Sequence, residues 1–494
     1  MDDTNTTLIK TGIAELDNIL GGGLRANRVY LLHGKPGSGK TTLSLQFLLE
    51  GIKMGEKALY VTLSETRQEL MSVAQSHGLT LDGVEIIELI AEDNDLDPDS
   101  QYTMYQPSEI ELTVTAKAIM DAVEKINPSR VVIDSLSEIK LIAQSALRFR
   151  RQTLALKQFF TGRNCTVFFL DDKTSGDEDL QVESVAHGVI SLEQLSPEYG
   201  AERRRLKISK LRGQKYRGGY HDFTILRGGL EVFPRIVASE HSRDIQPGII
   251  KSGIAQIDSL LGGGIDGGTS TLLLGPAGVG KSSLAFQYAV EAARNGDRSI
   301  LFSFDERLET MLRRADGIGI GLRKGLDSGL IEIRTVDPAE LSPGEFAHKV
   351  RLAAEDRGGK PGVKIVVIDS LNGYLNAMPE ERFLTAQLHE LLTYLGHLGV
   401  STFLVVAQLG LLGHAMTSAI DTSYLADNVI LFRYFESNGE VRQLISVVKK
   451  RSGHHERTLR EFSISARGLE IGKPLSNFQG VLTGTPYKVE LAAE

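Results

Sequence analysis

A chain of 494 residues is too long for one ordinary hydrophobic core, and 41% hydrophobic with 24% charged residues is the composition of a soluble globular protein. No apolar run in the sequence approaches the eighteen or so residues that a membrane span needs. The formal net charge of −8 gives no support to a general polyanion-binding surface, which makes nucleic acid an unlikely partner, although a local basic patch is still compatible with it. The single cysteine, Cys165, excludes an intrachain disulfide, and the acidic, polar N-terminus is unlike a signal peptide. We therefore expect a cytoplasmic protein.

The chain repeats itself at long range. The motif that runs from Thr11 to Gly23 recurs 241 residues later, from Ser252 to Gly264. A repeat of about 240 residues is far longer than a solenoid unit, so we interpret it as a duplicated domain. The predicted domains are residues 1–240 and 241–494, with a boundary in the polar stretch from Ser239 to Gly248.

Within each repeat, strand-like runs alternate with helical patterns, which predicts an α/β fold with a mainly parallel sheet covered by helices on both faces. Three later segments in each repeat lack intervening helices, so the sheet is expected to finish with antiparallel strands. In the first repeat the predicted strands are 28–33, 57–63, 84–89, 130–134 and 166–171, and the segments 189–195, 204–211 and 223–233 are predicted strands and hairpins. The predicted helices there are 40–53, 66–77, 108–126 and 146–162, and the late strands of the second repeat are 428–435, 440–449 and 460–471.

One short motif occurs in both repeats, between the first main strand and the following helix. Residues 34–41 and 275–282 both satisfy G-x-x-x-x-G-K-[ST], in which backbone N–H groups, a lysine and a hydroxyl converge on a polyphosphate and its Mg²⁺. Lys40 and Lys281 would reach the β- and γ-phosphates, and the hydroxyls of Thr41 and Ser282 would bind Mg²⁺. The predicted nucleotide-binding residues are Gly34, Gly37, Ser38, Gly39, Lys40, Thr41 and Thr42, then Gly275, Gly278, Val279, Gly280, Lys281, Ser282 and Ser283.

Acidic residues follow other apolar strands in both repeats. Asp134 and Asp369 close strands of the Walker B kind and are predicted Mg²⁺ ligands, although either could instead cap the next helix. Glu65, Asp305 and Glu306 end the strand after the phosphate-loop helix. We interpret these three as catalytic carboxylates, against the alternative that they are first-turn acids that stabilise a helix.

Two basic pairs, Lys210 with Arg212 and Lys449 with Arg451, lie on late strands of the two repeats. Alternate positions place both members of a pair on one strand face. Spacing alone leaves two explanations open: a solvated basic face, or a finger that reaches the nucleotide of a neighbouring subunit.

Taken together, these residues resemble the KaiC family of RecA-like ATPases. The resemblance covers nearly the whole chain and includes the tandem opening motifs, Ile-Asp-Ser-Leu after each apolar strand, Lys210-Leu-Arg212-Gly213, and the C-terminal Arg460 to Ser465 and Gly484-Thr-Pro486. It implies two-tiered homohexamers with ATP and Mg²⁺ between subunits, ATP hydrolysis in the first domain and autophosphorylation in the second. It also implies that the two basic pairs contact ATP in trans and that a regulatory protein is a candidate partner.

The chain departs from the family pattern at several positions. The first of the family's two catalytic glutamates is Ser64 in the first repeat and Asp305 in the second, so turnover in the first repeat rests on Glu65. The family's Ser-Thr phosphoacceptor pair falls on Ser423-Tyr424, which makes Ser423 the predicted phosphoacceptor, with Thr417, Ser418 and Thr422 as nearby substitutes. The alternative is that residues 422–427 only cap and pack the turn before strand 428–435. The sequence ends soon after Tyr487, before the long tail that clock members use to bind KaiA, so we expect a KaiC-like regulatory ATPase rather than a timekeeper.

Two other function classes compete with a KaiC-like ATPase and autokinase. One is a RecA- or DnaB-like motor, which predicts stimulation of the ATPase by DNA. The other is a nucleotide-gated scaffold with negligible turnover, which fits Ser64 but not Asp305, Glu306 and Asp369.

Overall fold

The computed structural model describes residues 7–89, 107–173, 179–197, 200–241, 248–355, 362–376, 384–408, 424–482 and 487–488. The chain divides into two compact units, Met1–Arg235 and Ile236–Glu494. Within the described ranges, no helix is both long and apolar enough to span a membrane.

The first unit contains a nine-stranded sheet with the strand order β11-β10-β9-β8-β3-β7-β6-β4-β5, in which the strands from β8 to β5 run parallel and the rest are antiparallel. Its strands are β1 Leu8–Ile9, β2 Leu24–Arg25, β3 Val29–Gly34, β4 Ala58–Thr62, β5 Val84–Glu88, β6 Arg130–Asp134, β7 Thr166–Asp172, β8 Gly188–Leu195, β9 Arg203–Leu211, β10 His221–Leu226 and β11 Gly229–Phe233. Its helices are α1 Ala14–Ile19, α2 Lys40–Lys53, α3 Arg67–Ser76, α4 Pro107–Ile126, α5 Leu136–Ala143, α6 Ala146–Phe160 and α7 Asp179–Val185.

The second unit repeats this plan with the strand order β16-β15-β17-β18-β14-β19-β20-β21-β22. Its strands are β12 Ile249–Ile250, β13 Ile265–Asp266, β14 Ser270–Gly275, β15 Arg298–Ser303, β16 Ile331–Thr335, β17 Val363–Asp369, β18 Ser401–Ala407, β19 Asn428–Ser437, β20 Glu440–Lys450, β21 Arg460–Ser465, β22 Gly468–Pro474, β23 Phe478–Gln479 and β24 Tyr487–Lys488. Its helices are α8 Ala255–Leu260, α9 Lys281–Arg294, α10 Leu308–Gly317, α11 Leu322–Asp327, α12 Pro343–Ala354, α13 Leu371–Asn376 and α14 Leu384–His397, after a short 3₁₀ helix, Ala238–His241.

These sheets confirm the predicted fold class, and side-chain alternation explains the layers. Along β3, Val29 and Leu31 enter one hydrophobic cluster, while Tyr30 and Leu32 enter the cluster on the opposite face of the sheet. A strand that buries both faces needs apolar residues at every position, which is why these strands appear in the sequence as continuous apolar runs. The central strands β3 and β14 therefore hold both phosphate loops at the edge where the parallel strands end.

The segment after Arg235 packs with the second unit. Ile236 and Ala238 belong to a core cluster of that unit, and the Ala238 backbone N–H donates to Glu390 Oε2 at 3.0 Å. The division between the units thus precedes the polar stretch 239–248 by a few residues.

Candidate functional site

The first phosphate loop connects β3 to α2. Gly37 and Gly39 have φ of +80° and +100°, in the left-handed region that glycine adopts without steric cost. Lys40 is buried, and its Nζ donates to the Gly34 carbonyl at 2.8 Å and to Asp172 Oδ1 at 2.8 Å. The loop therefore curls around its own lysine, with backbone N–H groups available for an anion at the start of α2.

The second loop, between β14 and α9, has the same shape. Gly278 and Gly280 have φ of +76° and +103°. The buried Lys281 donates to the carbonyls of Gly275 at 2.8 Å and Pro276 at 2.6 Å. Burial lowers the pKa of Lys281 to about 8. The second lysine is thus held by neutral carbonyls alone among the described residues, whereas the first also pairs with a carboxylate.

Four other residues predicted to bind nucleotide are buried: Ser38, Thr42, Val279 and Ser283. Thr42 and Ser283 lie in the first turns of α2 and α9, and Val279 belongs to the core of the second unit. Ser38 is fully buried, and its Oγ has no partner within the described part of the chain. A hydroxyl left unsatisfied in a phosphate loop is a donor ready for a phosphate oxygen.

The predicted metal ligands come together in both units. Thr41 Oγ1 lies 3.5 Å from Asp134 Oδ2, an oxygen that also accepts from the Tyr60 hydroxyl. Burial raises the pKa of Asp134 and of Asp369, and a hydrogen bond from Ser282 opposes the shift at Asp369. A buried carboxylate beside a hydroxyl at the end of a phosphate loop is a donor set that suits Mg²⁺, since a cation would stabilise the ionised form.

Glu65 is the predicted base of the first unit. Its backbone is hydrogen-bonded to Thr62, whereas one oxygen of its carboxylate has no hydrogen-bond partner among the described residues. Thr62 Oγ1 donates to the Glu65 carbonyl at 2.7 Å and accepts from the Glu65 N–H at 3.0 Å. Glu65 Oε2 is buried and has no hydrogen-bond partner among the described residues. Burial, and then the charge of Asp134, raise the pKa of Glu65. Such a carboxylate suits proton abstraction, and the adjacent Ser64 is exposed.

The acidic pair of the second unit is engaged differently. Asp305 Oδ2 accepts a hydrogen bond from Ser370 Oγ. Both Glu306 oxygens accept from Arg314, Oε2 from Nη2 at 2.5 Å and Oε1 from Nε at 3.3 Å. As in the first unit, a hydroxyl from the preceding strand holds the backbone, since Ser303 Oγ donates to the Glu306 carbonyl at 3.0 Å. The backbones therefore match, while the carboxylate environments do not.

The structure does not bring the basic pairs to the phosphate loop of their own unit. Arg212 follows β9, and its backbone N–H donates to the His187 carbonyl. The His187 N–H in turn donates to the carbonyl of Val29, at the start of β3. The loop begins at Gly34, five residues further along β3, a separation of roughly 16 Å along the strand. Lys210 Nζ instead donates to the carbonyl of Glu183 at 2.7 Å.

The second basic pair is placed in the same way. Arg451 N–H donates to the Asp427 carbonyl, and Asp427 N–H donates to Ser270, at the start of β14. The Arg451 side chain pairs with Asp427 Oδ1 at 3.1 Å, and Lys449 donates to the Ala426 carbonyl at 2.7 Å. The predicted phosphoacceptor Ser423 lies outside the described residues, as does the Gly484-Thr-Pro486 motif.

Comparison with known proteins identifies the family. A sequence profile described as "ATPase: KaiC" matches residues 9–236 and again residues 250–476, which together are most of the chain. The chain belongs to the KaiC ATPase family. The predicted resemblance is thereby confirmed, and membership implies that both halves bind nucleotide.

Individual KaiC proteins are similar over nearly the full length. "Circadian clock oscillator protein KaiC" of Acaryochloris marina is 29% identical, over 98% of this chain and 92% of that protein. "Circadian clock protein KaiC3" of Synechocystis is 28% identical, over 97% of this chain and 94% of its own length. The KaiC of Synechococcus elongatus is 28% identical, with coverages of 97% and 92%.

Sequence reasoning missed several side chains that contact the predicted KaiC-type site residues. They are Asp172, Tyr60, Ser370 and Arg314, which contact Lys40, Asp134, Asp305 and Glu306 respectively. Asp172 could have been found, because it ends a parallel strand at the same edge as the phosphate loop. Arg314 carries no such signal, since it is one of two adjacent arginines on a polar helix.

Proposed function

We propose that this chain is a Mg²⁺-dependent ATPase with one nucleotide site in each domain, residues 1–240 and 241–494, and that each site is completed by a neighbouring copy in a homohexameric ring. The observation that carries the proposal is the position of the basic pairs, at the far ends of the strands that bear the phosphate loops. The backbone of Arg212 is anchored beside the start of β3, roughly 16 Å along that strand from the loop. In this proposal its side chain therefore serves catalysis at another subunit's nucleotide rather than at its own.

In this proposal the loop lysines, Lys40 and Lys281, bind the β- and γ-phosphates. Thr41 with Asp134, and Ser282 with Asp369, hold Mg²⁺, which neutralises charge on the phosphates. Glu65 accepts a proton from the attacking water as the bond from the γ-phosphorus to its bridging oxygen breaks and ADP leaves with that electron pair. Lys210, Arg212, Lys449 and Arg451 stabilise the charge that develops on the neighbour's phosphates.

For the second domain we also propose autophosphorylation, with Ser423 as acceptor and Asp305 and Glu306 as the acidic residues of the reaction. The departing γ-phosphoryl would then join a serine oxygen rather than water. Its test is incubation with γ-labelled ATP and mass spectrometry of residues 412–427. Label on Ser423 or a neighbouring hydroxyl supports the kinase, and free phosphate without label leaves only an ATPase. Neither label nor free phosphate would favour a nucleotide-gated scaffold without turnover. We propose that these nucleotide and phosphate states regulate binding of a partner protein.

Subunit mixing tests the shared site. Two variants are made in a Lys281→Ala background, so that only the first site turns over: Lys40→Ala, which lacks the loop lysine, and Arg212→Ala, which lacks the finger. Each alone should release little phosphate. Equal mixing should restore about a quarter of the first-site turnover, the share of interfaces that pair an intact loop with an intact finger.

Three results would contradict the proposal. Sedimentation with and without ATP should give a ring, and a monomer at saturating nucleotide would contradict the proposal. No recovery on mixing, with subunit exchange verified, would place Arg212 outside catalysis in trans. Stimulation of phosphate release by single-stranded DNA would favour a DNA motor instead.

A further inference from the structure

The two glutamates proposed as catalytic, Glu65 and Glu306, have the same backbone hydrogen bond but different side-chain partners. Helices α3 and α10 occupy equivalent places, and Arg314 of α10 corresponds to Val73 of α3, 241 residues earlier. A valine cannot donate a hydrogen bond, and Glu65 Oε2 is buried without a partner in the described part of the chain. In the second domain Arg314, at the equivalent position, donates a hydrogen bond to each carboxylate oxygen of Glu306.

Arg314 is well placed to hold Glu306. Its two N–H groups meet the carboxylate side by side, the planar fork geometry in which arginine binds carboxylates best. Its guanidinium carbon lies 5.2 Å from the centre of the buried Phe286 ring, on the helix that begins at Lys281. Both partners are half-buried, with side-chain exposures of 35% and 25%, so water screens the pair only in part.

This pairing matters for chemistry because hydrolysis needs a free carboxylate. The water oxygen bonds to the γ-phosphorus, the bond to the β–γ bridging oxygen breaks with its electrons going to ADP, and the water proton must go to a base. A carboxylate whose charge is met by a guanidinium on both oxygens is a poorer base, because the ion pair stabilises its ionised form and occupies the oxygens that would accept the proton. In the first domain, Oε2 of Glu65 has no hydrogen-bond partner among the described residues and carries no such restraint.

We propose that Arg314 is a positioning residue that withholds Glu306 from water, so that the second site hydrolyses ATP more slowly than the first and retains it. This inference rests on the proposed two-site ATPase. It also predicts that hydrolysis in the second domain requires Glu306 to leave Arg314. Among the described residues, Arg314 and not the adjacent, exposed Arg313 donates hydrogen bonds to the Glu306 carboxylate. Arg313 therefore provides a matched control for the loss of one positive charge on the same helix.

The test compares Arg314→Val, which copies the first domain, with Arg313→Val, both in a Lys40→Ala background that leaves only the second site. Arg314→Val should raise kcat about tenfold with KM within about twofold, since general-base catalysis contributes about 10²–10⁴-fold and the pair withholds part of it. Arg313→Val should leave kcat unchanged. Arg314→Lys, which keeps a charge but loses the fork, should return kcat toward the parent value.

The reciprocal variant, Val73→Arg in a Lys281→Ala background, should lower first-site kcat with little change in KM. The inference is overturned if Arg314→Val lowers kcat or leaves it unchanged while the Lys40→Ala parent binds and hydrolyses ATP. It is also overturned if Arg313→Val gives the same rise. If the Lys40→Ala parent binds no ATP at all, the two-site proposal itself fails, which is a different result.

Discussion

Lys281 gives a prediction about pH that follows from its surroundings. Its ammonium group is buried against two carbonyls, and burial lowers its pKa from 10.5 to about 8. A lysine must carry its proton to bind phosphate, and the negative phosphates favour the charged form. Above pH 8, ATP binding at the second site must therefore take up a proton, and the affinity falls as pH rises.

The magnitude follows from the fraction of neutral lysine. With a pKa of about 8 in the free site and a lysine that stays protonated in the complex, affinity should fall about 25-fold between pH 7.5 and 9.5, or ~1.9 kcal/mol. The γ-phosphate of ATP is ionised across most of this range, so the ligand's charge contributes little. At pH 8.5, binding should take up about 0.8 proton.

The assay is calorimetric titration of ATP into the Lys40→Ala variant, in buffers of different ionisation enthalpy that report proton uptake. Lys281→Arg is the control, because arginine stays charged throughout and should reduce the fall to less than about twofold. A flat affinity between pH 7.5 and 9.5, or an equal fall in Lys281→Arg, would refute the reasoning about burial.

Two further predictions concern shape and stability. Gly280→Ala should abolish ATP binding at the second site, because a Cβ there would lie 2.7 Å from Phe462 Cε1 and 2.6 Å from Ile464 Cδ1. Gly296→Ala is the control: Gly296 has a similar φ of +83°, but a Cβ there would meet open space, so this variant should bind ATP normally. Arg130→Met should destabilise the first domain by about 3 kcal/mol in denaturant unfolding, since Arg130 is fully buried against Glu56, and Arg163→Met, at an exposed pair, should cost less than about 1 kcal/mol; equal losses would contradict this.

The phosphate loops, the aspartate-ending strands and the sheet class could be predicted because each depends on local sequence. A glycine-rich loop needs glycines at fixed offsets, and a strand buried on both faces needs a continuous apolar run. Helix α5, Leu136–Ala143, was not predicted, because eight residues are too few for a clear helical period. The stretch 223–233 is two strands, because Gly228, with φ of +112°, turns the chain between them.

Side-chain pairings within the site could not be predicted from local sequence, even where a residue such as Asp172 could be placed at the correct edge of the sheet. The pairing of Lys40 with Asp172 joins residues 132 apart, and that of Tyr60 with Asp134 joins residues 74 apart. Each depends on which strands become neighbours in the sheet, and thus on tertiary structure. The Glu306–Arg314 pair is close in sequence, yet its meaning appears only when the equivalent Val73 is placed beside Glu65.

The duplicated domains therefore share a backbone and differ in charge. Lys40 meets a carboxylate, Asp172, at the position where the second domain has Ala407, while Glu65 is open where Glu306 is paired. The same loop thus has a different electrostatic starting state in each half. We infer that the first domain is arranged for turnover, whereas the second, with a base held by arginine, is arranged to keep its nucleotide.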